Sequence, residues 1–238
     1  LGELPTQTGI SFWRDMKVYA DHVFVVSDAN GAHGMQIFDL TNLRGVAVPQ
    51  TFSNTAHYAG FNNAHNLHIN EDTGYAYIVG SNTFAGGPHI VDVADPANPV
   101  FAGSFAADGD SHDIQVVTYA GPDATYSGSE IGFASNEDAV SIIDLTNKSA
   151  PSLVSSIAYP QLGFVHQGWM TEDHRYFIFN DEFDELTFGL NTRTHVLDVQ
   201  DLDNPVYIGT HTHATNSIDH NLYVRGGLVF EGNYTAGL

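Results

Sequence analysis

Pairs of polar residues recur along the chain at nearly constant spacing, and their chemistry suits a metal site. A histidine opens four of these pairs, with separations of 47, 54 and 54 residues, and an amide or carboxylate residue follows it. The pairs are His65-Asn66, His112-Asp113, His166-Gln167 and His220-Asn221. Imidazole binds transition metals, and a neighbouring carboxylate or amide can fix its tautomer. The spacing predicts a divalent metal site if equivalent positions converge; otherwise these histidines hold neighbouring strands through hydrogen bonds.

Arg14-Asp15 occupies the corresponding position near the start of the chain. A guanidinium does not bind a cation, so Arg14 favours contact with a small anionic ligand or with a carboxylate. Asp113 is the second residue that we expect to contact such a ligand. Because adjacent residues on a strand point to opposite faces, Asp113 and His112 cannot easily form an acid–base pair. Any catalytic pair would have to form between repeats.

A second row of polar residues is richest in the segment NDEFDE, which contributes Asp181, Glu182, Asp184 and Glu185. Clustered carboxylates are the oxygen ligands that calcium and magnesium prefer, although this spacing is not that of an EF-hand loop. Four carboxylates in five residues repel one another without a cation, which favours a ligand role. A solvated acidic turn is the alternative. The predicted cofactor is therefore a divalent cation, either calcium or a transition metal.

The elements that position these residues come from a repeat of about fifty residues. Four segments align: MQIFDLTNLRGV, HIVDVADPANPVFAG, VSIIDLTNKSAPSLVS and THVLDVQDLDNPVYIG. Their aspartates, Asp39, Asp92, Asp144 and Asp198, are 53, 52 and 54 residues apart, and each is expected to accept backbone N–H bonds in the following turn. Four short strands per repeat and no amphipathic helix pattern predict an all-β fold, a β-propeller of four-stranded antiparallel blades.

The repeat predicts a single propeller domain over residues 1–238. Its four whole blades would cover about 11–60, 61–108, 109–161 and 162–215, with partial blades at 1–10 and 216–238. The opening LGELPTQT matches the fourth strand of a repeat, and the closing GLVFEGNYTAGL ends where a third strand is due. Either the two partial units complete a fifth blade, or the chain is a fragment of a longer propeller.

Composition excludes several kinds of partner. Seven basic residues against 28 acidic ones give a formal net charge of −21, which disfavours nucleic acid and anionic membranes. The sequence contains no run of 18 apolar residues, so it predicts no transmembrane segment. There is no cysteine, so disulfides and thiolate metal sites are excluded. Such acidity suits a soluble exported or salt-adapted protein, or one that collects cations.

The remaining histidines carry weaker expectations. His22, His174 and His195 are expected at solvent-exposed or blade-edge positions. His33 and His89 precede third strands. His211 and His213 alternate in THTH and would share one face of a strand, a weak indication of metal binding.

Taken together, the motifs resemble the choice-of-anchor B family. The similarity rests on WRDMKVY, HNLHINEDTGYAY, HDIQV, HQGWMTEDHRYF with NDEFDE, and DHNLYV with NYTAGL, and it extends over nearly the whole chain. It implies a propeller of LVIVD-type repeats, exported to the extracellular space or the cell surface, in a natural protein that extends beyond both ends of this sequence. It supplies no catalytic residue.

Two functions remain open at this point. One is a metal-binding structural or ligand-binding module with a His/Asp/Glu site at the central channel. The other is a metal-dependent hydrolase in which the cation activates water at the channel mouth. No nucleophile elbow, phosphate-binding loop, HExxH or dinucleotide motif is present. A cation with an open coordination position would favour the enzyme, whereas a closed site would favour the module.

Overall fold

The protein is built almost entirely of β-strands. The computed structural model describes all of residues 1–238 and divides them into two compact units, residues 1–109 and residues 110–238. Besides the strands there are one α-helix and three short 3-10 helices, which cover Leu40–Leu43, Phe84–Gly86 and Ala124–Tyr126. None of the helices has the length and the apolar character needed to cross a membrane.

The first unit contains two four-stranded antiparallel sheets and a short parallel ladder. Its strands are β1 (Gly2–Glu3), β2 (Arg14–Tyr19), β3 (His22–Ser27), β4 (Met35–Asp39), β5 (Gln50–Thr51), β6 (Ala56–Tyr58), β7 (Asn66–Asn70), β8 (Tyr75–Val79), β9 (His89–Asp92) and β10 (Val100–Ser104). The sheet orders are β2-β3-β4-β6 and β7-β8-β9-β10. The opening residues pair differently from a fourth strand, because β1 runs parallel to β5.

The second unit contains two further four-stranded antiparallel sheets and a two-stranded one. Its strands are β11 (Asp113–Thr118), β12 (Glu130–Ser135), β13 (Val140–Asp144), β14 (Ser152–Ile157), β15 (Val165–Met170), β16 (Tyr176–Asp181), β17 (Arg193–Asp198), β18 (Val206–Thr212), β19 (Leu222–Arg225) and β20 (Leu228–Glu231). The orders are β11-β12-β13-β14, β15-β16-β17-β18 and β19-β20. The four-stranded antiparallel sheets predicted from the repeat are therefore confirmed.

The turn after each third strand is held by the repeated aspartate. In all four repeats one carboxylate oxygen accepts the N–H of the residue two positions later, at 2.8–3.0 Å. The predicted turn role is confirmed. A polar side chain that ends such a strand satisfies the first backbone donor of the turn, so the chain can reverse there without leaving that donor unpaired.

One short helix lies where the sequence pattern predicts none. Helix α1 (Asp184–Phe188) occupies the connection between β16 and β17, within the acidic segment. Gly189 ends it in the left-handed conformation, with φ +69°, and its N–H bonds the carbonyl of Glu185 at 2.9 Å. A five-residue helix is too short to show amphipathic periodicity, and the glycine cap is what allows it.

Each unit has its own apolar core. In the second unit, Phe133 and Phe177 stack with ring centroids 5.4 Å apart inside a cluster of buried side chains. Gly168 on β15 faces this core, where an added Cβ would overlap the Phe177 ring and lie 2.7 Å from the Cβ of Phe179. We call the first strand of each antiparallel sheet in chain order, β2, β7, β11, β15 and β19, its inner strand. A glycine on the inner strand β15 lets the side chains of β16 pack closely against it.

Neighbouring inner strands are tied by the second residue of the polar pairs. In the second unit, the Gln167 side chain accepts the N–H of Leu222 at 2.8 Å. In the first unit, Asp15 accepts the N–H of Leu67 at 3.1 Å. These bonds satisfy buried backbone donors that no strand partner reaches, and they hold each inner strand against the next. In these two pairs the second residue thus acts on the backbone of the next inner strand.

Candidate metal centre

Three inner-strand histidines of the second unit stack in series. His112 Nδ1 lies 2.9 Å from the carbonyl of His166, and His166 Nδ1 lies 3.0 Å from the carbonyl of His220. Their ring centroids are 4.3 and 4.4 Å apart along the series. A carbonyl can only accept a hydrogen bond, so the proton of a neutral ring belongs on Nδ1 in His112 and His166. The lone pair is then on Nε2, the nitrogen suited to a metal.

Glu182 completes a group of three ligands with two of these histidines. Its Oε2 lies 3.8 Å from Nε2 of His166, and its Oε1 lies 3.8 Å from Nε2 of His220. The ligand atoms of His166, Glu182 and His220 all lie within 4.8 Å of one another. Ligands about 2.1 Å from a tetrahedral cation are about 3.4 Å apart, so small side-chain shifts would suffice to close this group around zinc or a similar metal.

The three ligands are buried to different extents, which determines the side from which solvent can reach the site. The side chain of His166 is 4% exposed, that of Glu182 15% and that of His220 37%. His166 therefore anchors the group inside the protein, and His220 forms its solvent side. A cation held here would have protein ligands on one side and solvent on the other.

Tyr234 orients the carboxylate. Its hydroxyl donates to Glu182 Oε1 at 2.5 Å, and its ring centroid lies 5.0 Å from that of His220. Burial, together with the hydrogen bond and the negative charge of Glu182, raises the pKa of Tyr234 to about 12. The phenol is thus a neutral donor over the physiological range, the kind of partner that fixes a ligating carboxylate. Sequence reasoning missed Tyr234, because NYTAGL served only as a family motif.

The other carboxylates of the acidic segment have different partners. Asp181 is fully buried, and its two oxygens accept the Tyr159 hydroxyl and the backbone N–H groups of Gly163, Phe164 and Phe183 at 2.6–3.2 Å. It holds the segment that leads into β15. Successive side chains on a strand point to opposite faces, so Asp181 turns into the core while Glu182 reaches the histidines.

Asp184 lies in α1, where its Oδ2 accepts the Arg193 guanidinium at 2.5 and 2.8 Å. The same oxygen is 3.4 Å from Nε2 of His195. The expectation that His195 lies at an exposed or edge position is wrong. Its side chain points inward from β17 toward Asp184 of helix α1, and it is fully buried beside Tyr159 and Phe179.

In the first unit, the corresponding residues bond groups of that unit. His65 Nδ1 lies 3.0 Å from Asp28 Oδ2. Arg14 donates to Nε2 of His33 at 3.1 Å, to the Thr6 hydroxyl at 2.8 Å and to the Gly9 carbonyl at 3.1 Å. The pairs Asp28–His65 and Glu182–His220 share one arrangement. An acidic residue directly after the second strand of one sheet contacts the histidine that precedes the first strand of the next.

Asp113 and a group of surface aspartates do not belong to the group of three ligands. Asp113 is half-buried, and its Oδ1 accepts the N–H of Ile114 at 2.6 Å. Asp123, Asp201 and Asp203 form another group of neighbouring carboxylates at the surface. Asp123 and Asp201 each accept backbone N–H bonds of their own turns, which is the ordinary role of aspartate there.

The LVIVD repeat family model matches the chain at residues 63–107 and 134–158. No curated protein matches the chain significantly. These LVIVD matches and the structural likenesses that follow support a repeat β-propeller family for this protein.

Among solved structures, a protein from Lactobacillus plantarum superimposes with a TM-score of 0.62 at 11% identity, over 92% of this chain and 64% of that one. A functionally unknown protein from Desulfotomaculum acetoxidans DSM 771 gives 0.59 at 13% identity, over 87% and 58%. The β-propeller domain of Cps50 (Swd1) from Myceliophteria thermophila gives 0.55 at 12% identity, over 90% and 64%. At such identities the likeness concerns the fold alone. The chain spans about 58–64% of the length of these structures.

Proposed function

We propose that the protein is a metal-binding β-propeller module in which His166, Glu182 and His220 hold a divalent transition metal. One observation carries the proposal: two Nε2 atoms and a carboxylate lie within 4.8 Å of one another, and the backbone carbonyl of His220 fixes the tautomer of His166. Two imidazoles and one carboxylate are a donor set typical of zinc. Calcium, which prefers oxygen ligands, fits this group less well.

Three protein ligands leave a tetrahedral cation with one coordination position. Because His220 is the most exposed of the three ligands, we expect that position to face solvent, where a donor atom of a small anionic molecule can reach it. The module would therefore bind its ligand through the metal. The predicted contacts of Arg14 and Asp113 with that ligand stay predictions, as does a role for His65 and His112 among the metal ligands.

The proposed setting is the extracellular space or the cell surface, within the choice-of-anchor B family. The motif resemblance, the LVIVD repeats and the strong net negative charge support it. A cysteine-free exported protein needs no disulfide when its sheets bury a core of this size.

Elemental analysis of protein purified without chelator or histidine tag tests the metal site. We expect a near-stoichiometric transition metal, lost in a His166→Ala/His220→Ala double variant and reduced in Glu182→Gln. His211→Ala is the matched control, because it removes an exposed imidazole of the same unit outside the three ligands. Unchanged metal content in the double variant, with the fold intact by circular dichroism, would exclude this site.

The open coordination position also favours a second function, metal-dependent hydrolysis. A cation with a free position lowers the pKa of water enough to generate a nucleophile at neutral pH. Turnover of chromogenic carboxylate and phosphate esters by the zinc-loaded protein, abolished in His166→Ala, would support the enzyme. Metal binding without turnover of either ester class would leave the binding module.

A further inference from the structure

One cavity of the second unit is lined by residues of two neighbouring sheets, and its volume is about 560 Å³. Thr194 and Val196 lie two residues apart on β17 and therefore share one face of that strand. Val229 and Glu231 do the same on β20. All four line the cavity, together with the buried Ile178 of β16. Apolar walls, a few polar groups and a volume within about 300–1,000 Å³ are typical of a small-molecule site.

The carboxylate of Glu231 has donors at one oxygen and none at the other. Glu231 is 7% exposed, and the Thr194 hydroxyl donates to its Oε2 at 2.6 Å. A hydroxyl has one hydrogen, so the 2.9 Å contact between Thr194 and Nε2 of His213 is a bond that the imidazole donates. His213 Nε2 also lies 3.4 Å from the same carboxylate oxygen. These donors serve Oε2, whereas Oε1 of Glu231 is buried without a hydrogen-bond partner.

Asn233 supplies a second acceptor without a partner. It is 8% exposed and lines the same cavity, two residues after Glu231. Its backbone carbonyl accepts the N–H groups of Ala236 and Gly237 at 2.7 and 2.9 Å, so the turn is closed without help from the side chain. The amide Oδ1 accepts no hydrogen bond. Buried acceptors normally have donors, because an unpaired one loses its hydration without compensation.

The residues that line the cavity include no lysine or arginine that could pair with these two oxygens, and Glu231 supplies their only carboxylate side chain. Glu231 belongs to neither group of converging metal ligands in the chain, so a metal ion would find too few ligands here. A primary ammonium group carries three N–H donors and a positive charge. Its hydrogen bonds to a carboxylate are charge-assisted and therefore stronger than those between neutral groups.

We propose that this cavity binds a small primary amine, in its ammonium form, that carries an apolar body. The ammonium group donates to Oε1 of Glu231 and to Oδ1 of Asn233, the two acceptors that the chain leaves without donors. The apolar body packs against the walls formed by Ile178, Val196 and Val229. None of the three ligands of the proposed metal centre lines this cavity, so the inference does not rest on that proposal.

Isothermal titration calorimetry of the full chain with 2-phenylethylamine tests the inference. Salt at about 0.15 M screens the general attraction of an acidic surface for cations, and EDTA removes metal that an amine could bind. We expect one amine to bind per chain. Two relatives of the probe should each bind more than about tenfold more weakly: 2-phenylethanol, which lacks the charge, and methylamine, which lacks the apolar body.

Glu231→Gln separates recognition by this carboxylate from general attraction to an acidic protein. Glutamine keeps the size of the side chain and an acceptor for Thr194 but loses the charge, so the affinity for 2-phenylethylamine should fall more than about tenfold. Asp203→Asn is the matched control, because it removes one exposed carboxylate of the same unit outside the cavity. It should bind the amine as the original protein does. Circular dichroism checks that both variants are folded.

Any of four results would overturn the inference. Two concern the original chain alone and hold even if Glu231→Gln does not fold: no binding of 2-phenylethylamine in the millimolar range, or equal affinity for 2-phenylethylamine and 2-phenylethanol. The third is equal affinity of folded Glu231→Gln and Asp203→Asn for the amine. The fourth is binding that occurs only when zinc replaces EDTA, which would assign the amine to the metal centre instead.

Discussion

The two units place a histidine at the same point of the repeat and surround it differently. His89 and His195 each lie three residues before the repeated aspartate, and both are buried. His89 bonds the Tyr58 hydroxyl at 2.9 Å and the Thr83 hydroxyl at 3.0 Å, among aromatic rings. His195 instead lies 3.4 Å from Asp184 and bonds the Tyr207 hydroxyl at 3.0 Å.

The difference shows that the same position of the repeat can pack a histidine against uncharged groups in one unit and against charged groups in the other. Around His89 all partners are uncharged, so the first unit gains rigidity there and no net charge. Beside His195 lies the buried Arg193–Asp184 ion pair, and Asp184 begins helix α1 two residues after Glu182. Charge is retained inside the second unit, close in sequence to the metal ligands, which is where we place the function.

Removing the Arg193 guanidinium from its buried ion pair with Asp184 should have the largest effect on stability. Arg193→Met leaves Asp184 without its guanidinium partner, and breaking a buried ion pair costs about 3–5 kcal/mol. The chain's two tryptophans, Trp13 and Trp169, lie one in each unit, so a Trp13→Phe background reports the second unit by fluorescence. Denaturant unfolding followed through Trp169 should show this loss. A change below about 1 kcal/mol would mean that Asp184 is not stabilised by Arg193.

Acid should weaken the first unit through His89. Burial lowers the pKa of His89 from 6.5 to about 4, so between these values the unfolded chain binds a proton that the folded chain excludes. Stability is therefore fully present above pH 6.5 and falls as the pH decreases toward 4, by about 1–3 kcal/mol. Unfolding followed through Trp13 in a Trp169→Phe background measures this slope.

His89→Gln supplies the control for the pH prediction, because glutamine keeps a donor and an acceptor but does not titrate. The slope between pH 6.5 and 4 should flatten in this variant. If the original protein and His89→Gln lose stability in parallel, the acid sensitivity comes from other groups of the unit.

Breaking an exposed ion pair should have the smallest effect. Arg44 and Asp21 meet at 3.3 Å with side chains 72 and 64% exposed, so water screens their attraction. Arg44→Met should change the free energy of unfolding by less than about 0.5 kcal/mol, against the large loss expected for Arg193→Met. A comparable loss of stability in Arg193→Met and Arg44→Met would show that burial does not determine how much an ion pair contributes.

The sequence predicts the repeat well because its determinants are local. Each aspartate turn is encoded within a few residues, and strands of two to seven residues separate such turns at nearly constant intervals. Constant spacing also places His166 and His220 at equivalent points of neighbouring inner strands. The predicted sheets therefore bring these two histidines close together.

What the sequence could not predict depends on contacts between distant residues. NDEFDE offers four carboxylates, and only the fold shows that Asp181 turns into the core while Glu182 faces the histidines. Asp219 and Glu231 are isolated acids in the sequence, and only the fold shows that both are buried. Helix α1 depends on the left-handed conformation of Gly189, which no periodicity shows.

Anomalous diffraction from crystals of the zinc-loaded protein, recorded above and below the zinc edge, tests the central claim most directly. The account predicts a single strong peak about 2.0–2.2 Å from Nε2 of His166, Nε2 of His220 and the carboxylate of Glu182. It also predicts that this peak disappears in Glu182→Gln crystals or becomes much weaker. Zinc bound elsewhere, with these three side chains unliganded, would contradict it.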